Sequence, residues 1–134
     1  MGKEMIIDNL INKFKQIQGV NGQVYHAEAL KNAKAPFIFW YQTGESITQT
    51  LSGYTELRHA NFEVSIVAAN LATLEEISED AVDAAISAQG ESYGGYRYDR
   101  VDIEGVSPTL NEHAVNLYRK SYNIRIDYQK ITEG

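Results

Sequence analysis

The stretch from Asn61 to Gly90 constrains this chain most, because an alternating strand runs directly into a capped, heavily acidic helix. Phe62, Val64, Ile66 and Ala68 fall on one side of an extended segment, with Glu63 and Ser65 between them. That period of two is the mark of a half-buried strand. Asn70 breaks the run, and Thr73-Leu74-Glu75-Glu76 then reads as a capping box opening a helix. Leu74, Ile77, Ala81, Val82, Ala85 and Ile86 supply its apolar stripe, so the helix is expected over Leu74 to Ala88. Its other side carries Glu75, Glu76, Glu79, Asp80 and Asp83, with no Lys or Arg among them. Such a unit predicts a sheet covered by a helix whose outer surface meets water or a partner. It holds no catalytic machinery, which directs the reading toward a part of an assembly.

At 134 residues and 15.0 kDa the chain is read as a single domain, 1–134, able to bury roughly two-thirds of its unfolded surface. A hydrophobic content of 43% with 22% charged residues is that of a soluble globular protein. The net charge of −6 and pI near 5.0 argue against broad attraction to nucleic acid or anionic membranes. There is no cysteine, which excludes a disulfide framework and a thiolate zinc site. No charged-then-apolar export signal and no run of membrane-spanning length is seen. Met1-Gly2 could open a myristoylation signal, but Ile6 stands where Ser or Thr is required. The expectation is a soluble, cytoplasmic chain.

Ile6, Ile7, Leu10, Ile11, Phe14 and Ile17 recur at helical spacing and Gly19 supplies a stop, predicting a helix from about Lys3 to Gln18. Val24-Tyr25 reads as a short strand, and Ala27 to Ala35 as loop or one helical turn. Pro36 introduces Phe37-Ile38-Phe39-Trp40-Tyr41, a run expected to form a strand covered on both faces. Thr43 to Ala60 reads as a long polar connection, of the kind that is often functional. After the acidic helix, Gly90, Gly94 and Gly95 mark a turn, and a strand is predicted from about Arg97 to Val106. Ser107-Pro108-Thr109 opens a loop before a last strand, Ala114 to Tyr128. Val115 and Leu117 lie on the opposite parity to Tyr122, Ile124, Ile126 and Tyr128, predicting a bulge near Tyr118 to Lys120. The fold class is α+β, a mostly antiparallel (mixed) β-sheet with two α-helices packed on one face.

Gly90-Glu91-Ser92-Tyr93-Gly94 matches the nucleophile-elbow pattern, and Asp99 or Asp102 and then His113 follow in hydrolase order. An elbow needs a strand before its serine and a helix after it; here that order is reversed. A glycine-rich turn leaving a helix is the preferred reading. The helix carboxylates diverge, whereas a hard cation needs oxygens converging on one point. Glu75–Glu79, Glu76–Asp80 and Glu79–Asp83 are like-charged pairs at i,i+4, each unfavourable by about 0.2–0.5 kcal/mol. Tyr96-Arg97-Tyr98-Asp99-Arg100 and Tyr118-Arg119-Lys120-Ser121-Tyr122 interleave bases with aromatics, as single-strand binders do. Asp99, Asp102, Glu104 and Asp127 sit among them, which favours cross-strand pairing instead. His26, His59 and His113 show no ligand spacing.

Five segments together carry a family resemblance: Val24-Tyr25, Pro36-Phe37-Ile38-Phe39-Trp40-Tyr41-Gln42, Phe62-Glu63-Val64-Ser65-Ile66-Val67-Ala68, the helix Leu74 to Ala88, and Tyr118-Arg119-Lys120-Ser121-Tyr122-Asn123-Ile124-Arg125-Ile126. Their order resembles that of the tail completion (tail terminator) proteins of long-tailed bacteriophages, over about Ile6 to Tyr128. The chain departs from that pattern at His26-Ala27-Glu28, where a proline-containing turn is expected. The resemblance implies a structural subunit, not an enzyme, that carries no cofactor or metal. It implies a hexameric ring that caps the head-proximal end of the tail tube and joins tail to head. The implied partners are further copies of the chain, the tail tube protein and the head–neck connector proteins. The implied location is the tail–head junction of the virion, with the host cytoplasm during assembly. Neither sequence-specific nucleic-acid binding nor membrane association is expected.

Phe37, Phe39 and Tyr41 point to one side of their strand and Ile38 and Trp40 to the other, while two helices can cover one face only. A neighbouring subunit or the long connection is therefore expected over the second face. The candidate interface residues are Gln49, Thr50, Leu51, Tyr54, Trp40 and Arg119; the candidate channel-facing acids are Glu76, Glu79 and Asp80. Two rival readings stand beside this one: another neck connector (stopper or adaptor), and a small ligand- or nucleic-acid-binding module.

Overall fold

The alternation of Phe62, Val64, Ile66 and Ala68 is realised in the middle of a seven-stranded sheet. The structure is a computed structural model and describes residues 5–27, 34–49, 56–107, 109–112 and 117–130, with the side chains of 46–49, 56–57 and 110–112 outside that description. In chain order the elements are α1 (Asp8–Lys15), β1 (Val24–His26), β2 (Phe37–Gln49), β3 (Glu56–Ala68) and α2 (Leu71–Ser87). They are followed by β4 (Ser92–Tyr93), β5 (Tyr96–Val106), β6 (Leu110–Glu112) and β7 (Leu117–Lys130). The strand order is β1-β2-β3-β7-β5-β4, with β6 also on β7. Among the described residues only β1–β2 is parallel; the other pairs are antiparallel. The mixed, mostly antiparallel sheet of an α+β domain is therefore observed, and β1 keeps its place despite the departure at His26.

Even-numbered residues of β3 and β7 face the helices. Phe62, Val64, Ile66, Tyr122, Ile124, Ile126 and Tyr128 meet Leu10 and Phe14 of α1 and Leu74, Ile77, Ala81 and Ala85 of α2 in one core. Each large apolar side chain so buried contributes about 1.5–3 kcal/mol. Tyr98 is fully buried there as well, because its hydroxyl donates to the Ile6 carbonyl at 2.5 Å.

Several expectations are corrected. Regular α1 is confined to Asp8–Lys15, with turns on either side and Gly19 at φ +95° closing the segment. The cap of α2 is Asn70 rather than Thr73: its Oδ1 accepts from the Thr73 N–H at 2.8 Å, and the helix begins at Leu71. Asparagine outranks threonine at that position. The polar connection Thr43 to Ala60 is not a loop in its described parts. Gly44 to Gln49 pair with Asn61 to Glu56, which extends β2 and β3 into one long hairpin past a bulge at Thr43. No bulge occurs near Tyr118 to Lys120, since the β3–β7 register is unbroken from Arg58↔Tyr128 to Ala68↔Tyr118. The face opposite the helices is itself apolar beside Leu117, at Phe37, Phe39 and Val67, so an apolar residue there needs no change of parity. The register shifts of β5 fall instead at Tyr98/Arg100 and Ile103/Gly105. Finally, β2 is covered on one face only: Ile38 and Trp40 are buried, whereas Phe37 and Phe39 are half-buried and Tyr41 is 36% exposed.

Candidate assembly surfaces

Three surfaces are left by this architecture: the open face of the sheet, the long hairpin, and the outer side of α2. The open face is built from the odd-numbered residues of β3 and β7 with their neighbours. Phe37, Val67 and Arg119 form one row across β2, β3 and β7, Phe39, Ser65 and Ser121 the next, and Tyr41, Glu63 and Asn123 a third. The Phe37 and Phe39 rings lie 6.2 Å apart, the Ser65 and Ser121 hydroxyls 2.7 Å apart, and the Tyr41 hydroxyl donates to Glu63. That bond, burial and the Glu63 charge raise the Tyr41 pKa. Further along, aromatic gives way to charge. His59 Nδ1 is 2.7 Å from Asp127 Oδ1, which also accepts from Arg125 Nε at 2.8 Å. Burial opposes ionisation of Asp127, but the hydrogen bonds from His59 and Arg125 outweigh it and hold the pKa below the ordinary value.

This charged end lies within the base of the hairpin, where His59 is paired with Ser46. Gln49 is the last residue of β2, opposite Glu56; the candidate interface residues Thr50, Leu51 and Tyr54 lie outside the described residues. Arg119 stands on the open face beside Val67. Trp40 does not: it is 7% exposed, on the helix side, with its ring edge-on to Phe62 and to His26. There it borders a cleft of about 270 Å³ between the Met5 to Ile7 segment and the hairpin base. In that cleft the Tyr128 hydroxyl donates to Glu45 Oε1 at 3.1 Å. Burial and Glu45 push its pKa to about 12, so it is a structural donor rather than a base.

On α2, Glu75, Glu76, Glu79, Asp80 and Asp83 are all exposed, as the stripe requires. Glu76, Glu79 and Asp80 face a groove shared with Gln18 and Gly19, while Glu75 turns to the other flank and pairs with Lys120 at 3.2 Å. Among the described residues no group of three His, Cys, Asp or Glu is placed to hold a metal ion. Among the described residues no helix is long and apolar enough to cross a membrane.

The G-x-S-x-G segment has a structural task that its sequence did not disclose. Glu91 accepts from Asn9 Nδ2 at 3.1 Å and from Lys13, and Tyr93 Oη accepts from Asn12 Nδ2 at 2.7 Å. The Asn9 bond is the main reason the Glu91 pKa is lowered. Ser92 lies exposed in β4, which turns tightly through Gly94 and Gly95, both at positive φ, into β5. Asp99 is held by Arg97 and Gln129 and Asp102 by Arg100, while His113 lies outside the described residues. The aromatic-basic stretches are likewise divided by the sheet: Tyr98 and Tyr122 point into the core, while Arg97 and Arg100 face solvent. They form no continuous stacking platform.

A chain from the virion of the native gene transfer agent (GTA) particle has a similar fold. It matches with a TM-score of 0.66 at 14% sequence identity, over 92% of this chain and 94% of that one. The likeness is one of fold. No protein-family model and no curated protein matches the chain.

Proposed function

We propose that the chain is a non-enzymatic structural subunit of a phage-like virion. In this reading it forms a hexameric ring that caps the head-proximal end of the tail tube and joins tail to head. The observation that carries the proposal is the end-to-end fold likeness to a gene transfer agent virion chain: with 94% of that chain covered, this fold accounts for nearly a whole virion component. The surfaces support it. In this reading the open face presents aromatic side chains to a neighbouring copy, and the hairpin is directed to the tail tube protein or the head–neck connectors. Glu76, Glu79 and Asp80 are assigned to the lumen, where carboxylates repel passing DNA phosphates.

The test is to shorten the hairpin by joining Ser46 to His59, which are cross-strand partners, through an asparagine–glycine turn. Circular dichroism is expected to show an intact fold. In negative-stain images the intact chain should form rings on tail tubes and stop their growth, while the shortened chain should leave tails of uncontrolled length. An intact chain that forms no ring with tail tubes, or a shortened one that caps them normally, would overturn the proposal.

A further inference from the structure

The outer edge of β5 is closed along its first half. β4 pairs with Tyr96 and Arg97, and Tyr98 exchanges backbone bonds with Gly90 and Glu91 at 2.7 and 2.8 Å. The Val101 N–H donates to Gln89 Oε1 at 3.2 Å. Over residues 102–106 the edge is open: no described residue pairs with its outer side. Asp102 and Glu104 do not guard it, since their carboxylates turn to Arg100 at 2.8 Å and Arg125 at 4.0 Å. Val106, at the end of the open part, is 53% exposed. Such an edge accepts another strand, and chains that make no use of one normally block it.

At the other end of the sheet, β1 is paired with β2 alone among the described residues. The two open edges stand on the same row. His26 pairs with Trp40, Trp40 with Val64, Val64 with Tyr122, and Tyr122 with Val106, so this row crosses the sheet from one edge to the other. The strand directions also match. β1, β2 and β7 run one way, and β3 and β5 run against them. A second copy placed along this row in the same orientation therefore brings its β1 antiparallel to β5, the pairing used almost throughout this sheet. Two different edges meeting in this way make a head-to-tail contact, which yields a ring when the rotation between copies closes. Tyr25 of β1 shares a row with Phe39 and Ser65, so the aromatic end of the open face adjoins the same joint.

We infer that β1 of one copy pairs antiparallel with residues 102–106 of β5 in the next, joining the sheets from subunit to subunit. This rests on the ring proposed above and names the edges that build it. The chain has no cysteine, so an engineered pair reports the joint alone. His26→Cys with Val106→Cys places the two thiols four strand spacings apart within one chain, about 19 Å, too far for an ethylene-linked bismaleimide to bridge. On rings capping tail tubes, that reagent should give a ladder of cross-linked chains ending at the hexamer. His26→Cys with Ser92→Cys, which is exposed in β4 away from the row, should give no ladder. Val106→Lys puts a guarding charge at an exposed edge position and should abolish rings while circular dichroism shows an intact fold. Rings without the ladder, an equal ladder from the Ser92 pair, or rings that persist in Val106→Lys would overturn the inference and leave the ring itself standing. Absence of rings from the unaltered chain would overturn both.

Discussion

On the helix side of the sheet, Phe62, Val64, Ile66, Ile124 and Ile126 meet α1 and α2 with almost no exposed surface. On the open side, the residues between them in the same strands are Glu63, Ser65, Asn123 and Arg125, joined by individual polar contacts. One backbone therefore carries two regimes of stabilisation. Burial on the helix side contributes about 1.5–3 kcal/mol per large side chain. An exposed ion pair on the open side contributes about 0–1 kcal/mol. Apart from Ser65 and Val67, which are buried within it, the open side is thus the one whose residues can be changed for a partner with little cost to the fold.

The sharpest way to break that contrast is a pair of aromatic deletions. Phe62→Ala should destabilise by about 3–5 kcal/mol, through lost burial and a residual cavity. Phe39→Ser, on the half-buried open side, should shift stability by less than about 1 kcal/mol. Urea midpoints measure both, and equal shifts would mean that the open face is part of the core. Next in size is Asn70→Ala, which leaves the Thr73 N–H without its acceptor and should cost about 1 kcal/mol. That change tests how firmly the covering helix is held at its start.

The smallest effect concerns Asp127. Its pKa is depressed in the fold, so its contribution is present above the unfolded carboxylate value of about 4. That contribution is lost as pH falls through the lower, folded value. Asp127→Asn should therefore reduce the difference in thermal stability between neutral and acid pH. An unchanged pH profile would show that the charged end of the open face contributes nothing.

What could be read from the residues follows the same division. The strand around Phe62 and most of the stripe of α2 were legible because one side of each is buried, which imposes a period on the sequence; Ile86, expected in that stripe, is 47% exposed, and Ser78 is buried instead. The hairpin beyond Thr43 was hidden for the opposite reason. Gly44, Ser46 and Thr48 lie in β2 without any apolar alternation, so nothing distinguishes them from a loop. The cap at Asn70 is masked in the sequence by Thr73-Leu74-Glu75-Glu76, which forms a complete capping pattern three residues later. Of the candidate surfaces, the acidic side of α2 was visible in its spacing. The pairing of Glu75 with Lys120 was not, since Lys120 arrives from β7, 45 positions along the chain. The bond between Glu91 and Asn9 spans 82 positions, beyond the reach of any local pattern.

β7 is flanked by β3 on one side and β5 on the other, although it follows both along the chain. During synthesis β3 and β5 leave the ribosome before the strand that joins them, and Arg58 waits for Tyr128. Until residue 130 has emerged, both strands have an unpaired edge, and half of the core has no floor. Pairings this distant are slow to form, and unpaired edges invite association with other chains. The nascent subunit thus has a window in which it is sticky before it is specific.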